Sequence, residues 1–188
     1  MDNTTVWKVI DKYFDNNPQS LVRHHVESYN DFFKQGIFQI FKEKNPIKIQ
    51  TRYDERIDDY RSQCIMYLGG KDGSKIYFGK PVIYDDNNAH FMYPNEARLR
   101  NMNYGITIHY DLEVDFQIID DNGKLQESSH QYDKLFLGRF PIMLQSDLCI
   151  LNGLNREVRY NMGECRNDYG GYFIVDGKEK VIICQEKF

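Results

Sequence analysis

Apolar positions near the start of the chain recur at helical spacing. Val6, Val9, Ile10, Tyr13 and Phe14 make one stripe, and Val22, Val26, Tyr29, Phe33, Ile37 and Ile40 make a second. Two helices are predicted within residues 1–44. Asn16-Asn17-Pro18 separates them, with Asn17 as N-cap and Pro18 as the first residue of the second helix, and Asn45-Pro46 ends that helix. Gly36 inside the second stripe costs about 1 kcal/mol relative to Ala, which a long apolar face absorbs.

From residue 47 the period changes to two. Ile47-Lys48-Ile49-Gln50 and Lys75-Ile76-Tyr77-Phe78 read as strands, the second one following a turn at Lys71-Asp72-Gly73-Ser74. The clearest strand covers 106–118. There Ile108, Tyr110, Leu112, Val114, Phe116 and Ile118 alternate with Thr107, His109, Asp111, Glu113, Asp115 and Gln117, so one face is expected buried and the other wet, with a turn at Asn122-Gly123. An apolar run at 140–144 precedes a short helix expected over 154–160. At the C-terminal end, 172–175 and 181–184 flank Asp176-Gly177-Lys178-Glu179 as a hairpin. A four-residue loop sets Ile174 opposite Val181 and Phe173 opposite Ile182, and is favoured over a two-residue loop that pairs Phe173 with Lys180 and Ile174 with Glu179. The fold class is α+β, an N-terminal helical pair followed by a mixed, mainly antiparallel sheet, with the boundary drawn between residues 1–44 and 45–188.

Composition narrows the function. The 188 residues carry 24 basic and 28 acidic side chains, a formal charge of −4, which argues against a freestanding nucleic-acid binder with a broad basic patch. The 14 Tyr and 12 Phe provide a core and exclude disorder. No stretch approaches the roughly 20 apolar residues of a membrane span, and the first residues lack a signal-peptide layout, so a soluble, unsecreted protein with no membrane partner is expected. Cys64, Cys149, Cys165 and Cys184 form no Cys-x-x-Cys pair and read as thiols of a reducing, intracellular compartment.

Local chemistry is sparse. Asp111, Glu113 and Asp115 project from one strand face, where they could serve a carboxylate metal enzyme, but the same alternation is what a solvated strand face requires. Asp58-Asp59, Asp85-Asp86 and Asp120-Asp121 read as solvated loops. His24 and His25 point about 100° apart on a helix and are not expected to share a metal, so no metal ligands are assigned. No nucleophile elbow or phosphate-cradling loop is present, and no catalytic residue or cofactor is assigned. Arg98 and Arg100, with Asn101, and separately Arg139 are the candidates for contact with nucleic acid or a partner; the competing reading is pairing with Glu96 or a neighbouring acid.

Those segments resemble the second-largest, β-like subunit of multisubunit DNA-directed RNA polymerases. Four blocks carry the resemblance: Leu21-Val22-Arg23-His24-His25-Val26-Glu27-Ser28-Tyr29-Asn30-Asp31-Phe32; Pro94-Asn95-Glu96-Ala97-Arg98-Leu99-Arg100-Asn101 with Tyr104; Gly138-Arg139-Phe140-Pro141-Ile142-Met143-Leu144 with Ser146 and Cys149; and Glu164-Cys165, Asp168 and Gly170-Gly171-Tyr172-Phe173-Ile174-Val175-Asp176-Gly177-Lys178-Glu179-Lys180-Val181. The resemblance implies the first part of the protrusion, an α+β region beside the DNA cleft, with the chain stopping near the start of the lobe. It implies structural work without catalytic residues, in an enzyme that uses Mg²⁺ elsewhere. Partners implied are the largest subunit, the remainder of the second-largest subunit, small assembly subunits, an initiation factor and DNA. The longer, more acidic stretch at 105–120 suggests a divergent branch such as the polymerases of large DNA viruses, placed in host cytoplasm or nucleus and packaged in the virion. The alternatives are a standalone nucleic-acid or protein binding module on the Arg98 and Arg100 patch, and the carboxylate metal enzyme.

Overall fold

A computed structural model of the chain describes residues 3–85, 88–120 and 123–187. Asp86, Asp121 and Asn122, which belong to the acidic pairs and the turn expected above, lie outside the described residues. In chain order the helices are α1 (Asn3–Asn16), α2 (Arg23–Asp31), α3 (Ile37–Lys44), α4 (Pro94–Leu99) and α5 (Arg156–Asn161), and a π-helical turn, Phe32–Gly36, joins α2 to α3. The strands are β1 (Ile47–Asp54), β2 (Asp59–Leu68), β3 (Ile76–Phe78), β4 (Val82–Asp85), β5 (Asn88–Phe91), β6 (Gly105–Ile119), β7 (Leu125–Pro141), β8 (Phe173–Val175) and β9 (Lys178–Lys180). The class is α+β with antiparallel pairing.

These elements sort into two compact units: residues 33–80 with 106–140, and residues 1–32, 81–105 and 141–188. The units interleave along the chain and cut across the division at residue 44. The helical stretch is split because its last aromatic residues pack on the sheet. Phe33 meets Phe78 and Phe140 at ring separations of 5.6 and 6.2 Å, and Phe41 meets Tyr110 at 5.8 Å.

In that sheet unit β1 pairs β2, β2 and β3 pair successive stretches of β6, and β7 also pairs β6. The buried helical positions are Phe33, Ile37 and Phe41, whereas Ile40, on the predicted stripe, is exposed. The π turn explains the shift. One wide turn of about 4.4 residues plus one α turn of 3.6 sets residue 41, rather than 40, in line with residue 33. On β6 the alternation holds at Ile106, Ile108 and Val114, but Phe116 and Ile118 are exposed and Asp111, expected on the wet face, is buried. Asp111 accepts the backbone N–H of Lys134 at 2.9 Å and the Tyr77 hydroxyl at 3.0 Å. Lys134 sits in β7 at a φ of 52°, the kind of local irregularity that re-aims a strand group.

In the other unit the helix start differs from expectation. Residues 17–22 form turns bonded from Ser20 N–H to Asn17 and from Val22 N–H to Gln19, and α2 begins at Arg23. Asn17 caps backwards, its amide donating to the Tyr13 carbonyl at 3.0 Å, so it closes α1 and does not open the next helix. The core of this unit joins Val26, Met143 and Phe173, with Tyr29 and Val175 against them. Backbone bonds lace three segments together: Ile142 N–H to Tyr104 O, Tyr104 N–H to Ile174 O, and Leu144 N–H to Tyr172 O. The C-terminal hairpin takes the two-residue loop, with Phe173 opposite Lys180 and Ile174 opposite Glu179. Asp176 and Gly177, at φ 51° and 71°, make the doubly left-handed turn that matches strand twist. Ile174 is fully buried without an apolar cross-strand partner, and its backbone carbonyl accepts Tyr104 N–H at 3.1 Å from a distant segment. Val181, Ile182 and Ile183 follow without strand structure and are exposed, correcting the strand expected over 181–184.

The bonds from Lys134 and Tyr77 hold the Asp111 carboxyl below the ordinary aspartate range, with the positive charges of Lys75 and Lys134 assisting and burial opposing. A carboxyl lowered in the folded state contributes stability that is present above the unfolded value, about 3.9, and is lost as pH falls through the folded value. The stability advantage of the natural chain over Asp111→Asn is therefore expected to be constant from pH 7 to about pH 5 and to shrink below about pH 4. Urea unfolding across that range checks it, and a pH-independent difference contradicts it.

Candidate functional site

The arginines singled out from sequence have different surroundings. Arg98 and Arg100 lie at the end of α4, which starts with Tyr93 extended and Pro94 in the first turn, and seats Ala97 in the interior. The helix stops by chain reversal at Asn101, whose φ is 51°, and Met102 N–H bonds back to Ala97 O at 2.9 Å. That is the Schellman ending. Asn101 thus acts through its backbone conformation.

Arg98 points into its own unit. Its Nη1 spans both Glu164 oxygens at 2.9 Å, its Nε reaches Glu179 at 2.9 Å, and its Nη2 donates to the Tyr172 hydroxyl at 2.7 Å. Four of the five guanidinium N–H groups are thereby used. The Tyr172 hydroxyl in turn donates to Asp168 Oδ2 at 2.6 Å, and Asp168 Oδ1 accepts Gly170 N–H at 2.8 Å. The side chain of Glu164 is 2% exposed and that of Arg98 19%. Burial alone would lower the basicity of Arg98; Glu164, Tyr172 and Glu179 outweigh it and raise it, so the guanidinium stays charged. Burial, with the Asp168 bond, pushes the Tyr172 phenol upward. The C-terminal hairpin is fitted closely against this point, since a Cβ on Gly177 would lie 2.8 Å from Asn101 Cα and 2.9 Å from Arg98 O.

Arg100 is 40% exposed and forks onto Asp85 at 2.8 Å through both terminal nitrogens, with Glu96 at 3.1 Å. The Arg100 bonds hold the Asp85 carboxyl below its ordinary range. His90 completes the group at 3.2 Å from Glu96. Asp85, His90 and Glu96 could converge on an ion, but the Arg100 guanidinium already supplies the cation there. Arg139, on β7, is exposed and has no ion pair among the described residues. Arg98 is therefore turned inward, Arg100 is half engaged, and Arg139 is open. None of the partners of Arg98 had a local signal, because they lie 66 to 81 residues away.

The carboxylates of β6 do not converge on one ion. Asp111 is held by Lys134 and Tyr77, Glu113 pairs with Lys75 at 2.9 Å, and Asp115 accepts from the Ser129 hydroxyl at 2.6 Å. His24 and His25 do not splay apart as expected: their rings fold together with centroids 4.1 Å apart.

Known proteins supply the context for this arrangement. The family described as RNA polymerase beta subunit matches residues 20–188. The chain is 31% identical over 183 residues to DNA-directed RNA polymerase II subunit RPB2 of Encephalitozoon cuniculi, covering 96% of this chain and 15% of that protein. It is 34% identical over 184 residues to DNA-directed RNA polymerase subunit Rpo2N of Methanothermobacter thermautotrophicus, covering 97% and 31% respectively. Subunit RPB2 of Schizosaccharomyces pombe is 30% identical over 192 residues, again 96% of this chain and 15% of the relative. The chain thus spans between about a seventh and a third of the length of these relatives.

Removing Arg98 leaves Glu164 buried without its counter-charge. Arg98→Met is expected to lower unfolding stability by about 3 kcal/mol, and the double change Arg98→Met with Glu164→Gln to lose less than Arg98→Met alone. Arg100→Met is expected to cost far less, since exposed pairs are screened. Equilibrium denaturation of the variants measures the order; equal losses at Arg98 and Arg100 would contradict it.

Proposed function

Because the chain belongs to the RNA polymerase beta-subunit family, we propose that it forms the protrusion beside the DNA cleft of a DNA-directed RNA polymerase, as a structural part whose work is protein contact. The observation that carries this reading is the use of the most distinctive arginine, Arg98, to bind three segments of its own unit, which is the role of a scaffold. Nucleotidyl transfer belongs on this reading to other parts of the enzyme, with Mg²⁺ held by residues outside this chain. The partners we propose are the largest subunit, the remainder of the second-largest subunit, small assembly subunits and an initiation factor, inside a cell and in a divergent, viral branch of the family. Exposed apolar side chains along α1, Trp7, Val9 and Tyr13 among them, suit burial against such partners. The test is recovery of the tagged chain under native conditions from its source. The expected result is an assembly with template-dependent, Mg²⁺-dependent RNA synthesis; recovery of the chain with no polymerase subunit and no such activity contradicts the proposal.

DNA contact in that assembly falls to Arg139, the open guanidinium. Arg139→Glu is expected to shallow the salt dependence of DNA binding by about one unit of slope, and Arg98→Met to leave the slope unchanged. Binding titrations of the assembled enzyme at several salt concentrations measure both; an unchanged slope for Arg139→Glu assigns that residue to protein contact.

A further inference from the structure

We propose that His24, His25 and Cys184 form a binding site for one divalent ion of the zinc class. Their ligand atoms all lie within 4.8 Å of one another, although the cysteine is 159 residues from the nearer histidine in sequence. All three belong to the same compact unit. Two histidines at adjacent helical positions start about 100° apart, and here their side chains turn toward each other until the rings lie 4.1 Å apart with 37° between their planes. Two imidazole nitrogens and one sulfur are a donor set that Zn²⁺ takes in tetrahedral sites, at about 2.0–2.1 Å for nitrogen and 2.3 Å for sulfur. Those bond lengths put the ligands of a tetrahedron roughly 3.3–3.6 Å apart. Rotation of three side chains outside the core closes the remaining distance, since His24 and Cys184 are exposed and His25 half-buried. The nearby positive charge of Arg23 is compensated by Glu27 at 2.6 Å. Three protein ligands leave a fourth position for water or a further ligand.

Binding takes the thiol proton of Cys184 and uses both imidazoles in their neutral form, so it releases protons and weakens as pH falls. Its consequence is mechanical. Residues 181–187 carry no secondary structure and expose Val181, Ile182 and Ile183. An ion shared by Cys184 and the start of α2 fixes that segment to the helix.

Cobalt titration of the full chain tests the site, because a thiolate bound to Co²⁺ has a near-ultraviolet charge-transfer band. The expected result is a band that saturates at one Co²⁺ per chain and is displaced by Zn²⁺. Cys184→Ser abolishes the band, His24→Gln and His25→Gln each weaken binding at least about tenfold, and Cys165→Ser, at the other exposed thiol, changes nothing. The metal-free melting temperature is expected to be the same in all four variants, which shows that they fold. A band that never saturates at one equivalent, or one that survives Cys184→Ser, overturns the proposal.

Discussion

The buried ion pair between Arg98 and Glu164 is the constraint from which the rest of its unit follows. A carboxylate removed from water costs several kcal/mol unless a charge and hydrogen bonds meet it there. Glu164 meets both only when α4 and the 164–179 segment stand together. The pair then draws in Tyr172 and, through it, Asp168 and the Gly170 backbone. Once this network is set, the hairpin turn at Asp176-Gly177 has one place to go, against the last turn of α4, where Gly177 N–H bonds to Met102 O at 3.1 Å. The absence of a side chain at 177 is what permits the approach.

Several basic residues are already engaged within the protein: Arg98 by Glu164 and Glu179, Arg100 by Asp85 and Glu96, Lys75 by Glu113 and Arg61 by Asp54. Little of the positive charge near α4 is left over for a polyanion, in keeping with a net charge of −4 and with a module that is one structural part of a larger family architecture. The four motif segments that mark the family converge as packing partners. Val26 comes from the first, Met143 from the third and Phe173 from the fourth, and Arg98 of the second grips the fourth.

Periodicity made much of the fold legible. The alternation of 106–114, the second helical stripe and the end of the helix before Pro46 are local consequences of which side chains avoid water, and they appear as β6, α2, α3 and the Lys44 boundary, whereas the first stripe forms α1 with its apolar side chains exposed. β7 left no such trace. Its first residues, Leu125-Gln126-Glu127-Ser128-Ser129-His130, are exposed and mostly polar, and the segment is a strand through its pairing with β6. The hairpin takes its register from the left-handed pair Asp176-Gly177 and not from apolar cross-strand pairing, so the period of the flanking residues points to the wrong loop.

By itself the sequence determined the class α+β, the change from helix to strand near residue 46, the strand that became β6 and, through four motif blocks, the family. These rest on neighbours in the chain, where spacing of 2 or 3.6 residues fixes which face is apolar. Only the tertiary structure decided which arginines are free. Arg98, Arg100 and Arg139 look alike as residues, yet the first is enclosed by Glu164, Tyr172 and Glu179, the second is half shared with Asp85, and the third stands open. It also decided that His24, His25 and Cys184 meet. The enclosure of Arg98 and the meeting of the histidines with Cys184 depend on contacts between groups many tens of residues apart, and no local period encodes the partner of a side chain across such a separation; the Arg100–Glu96 pair, one helical turn apart, was open to sequence.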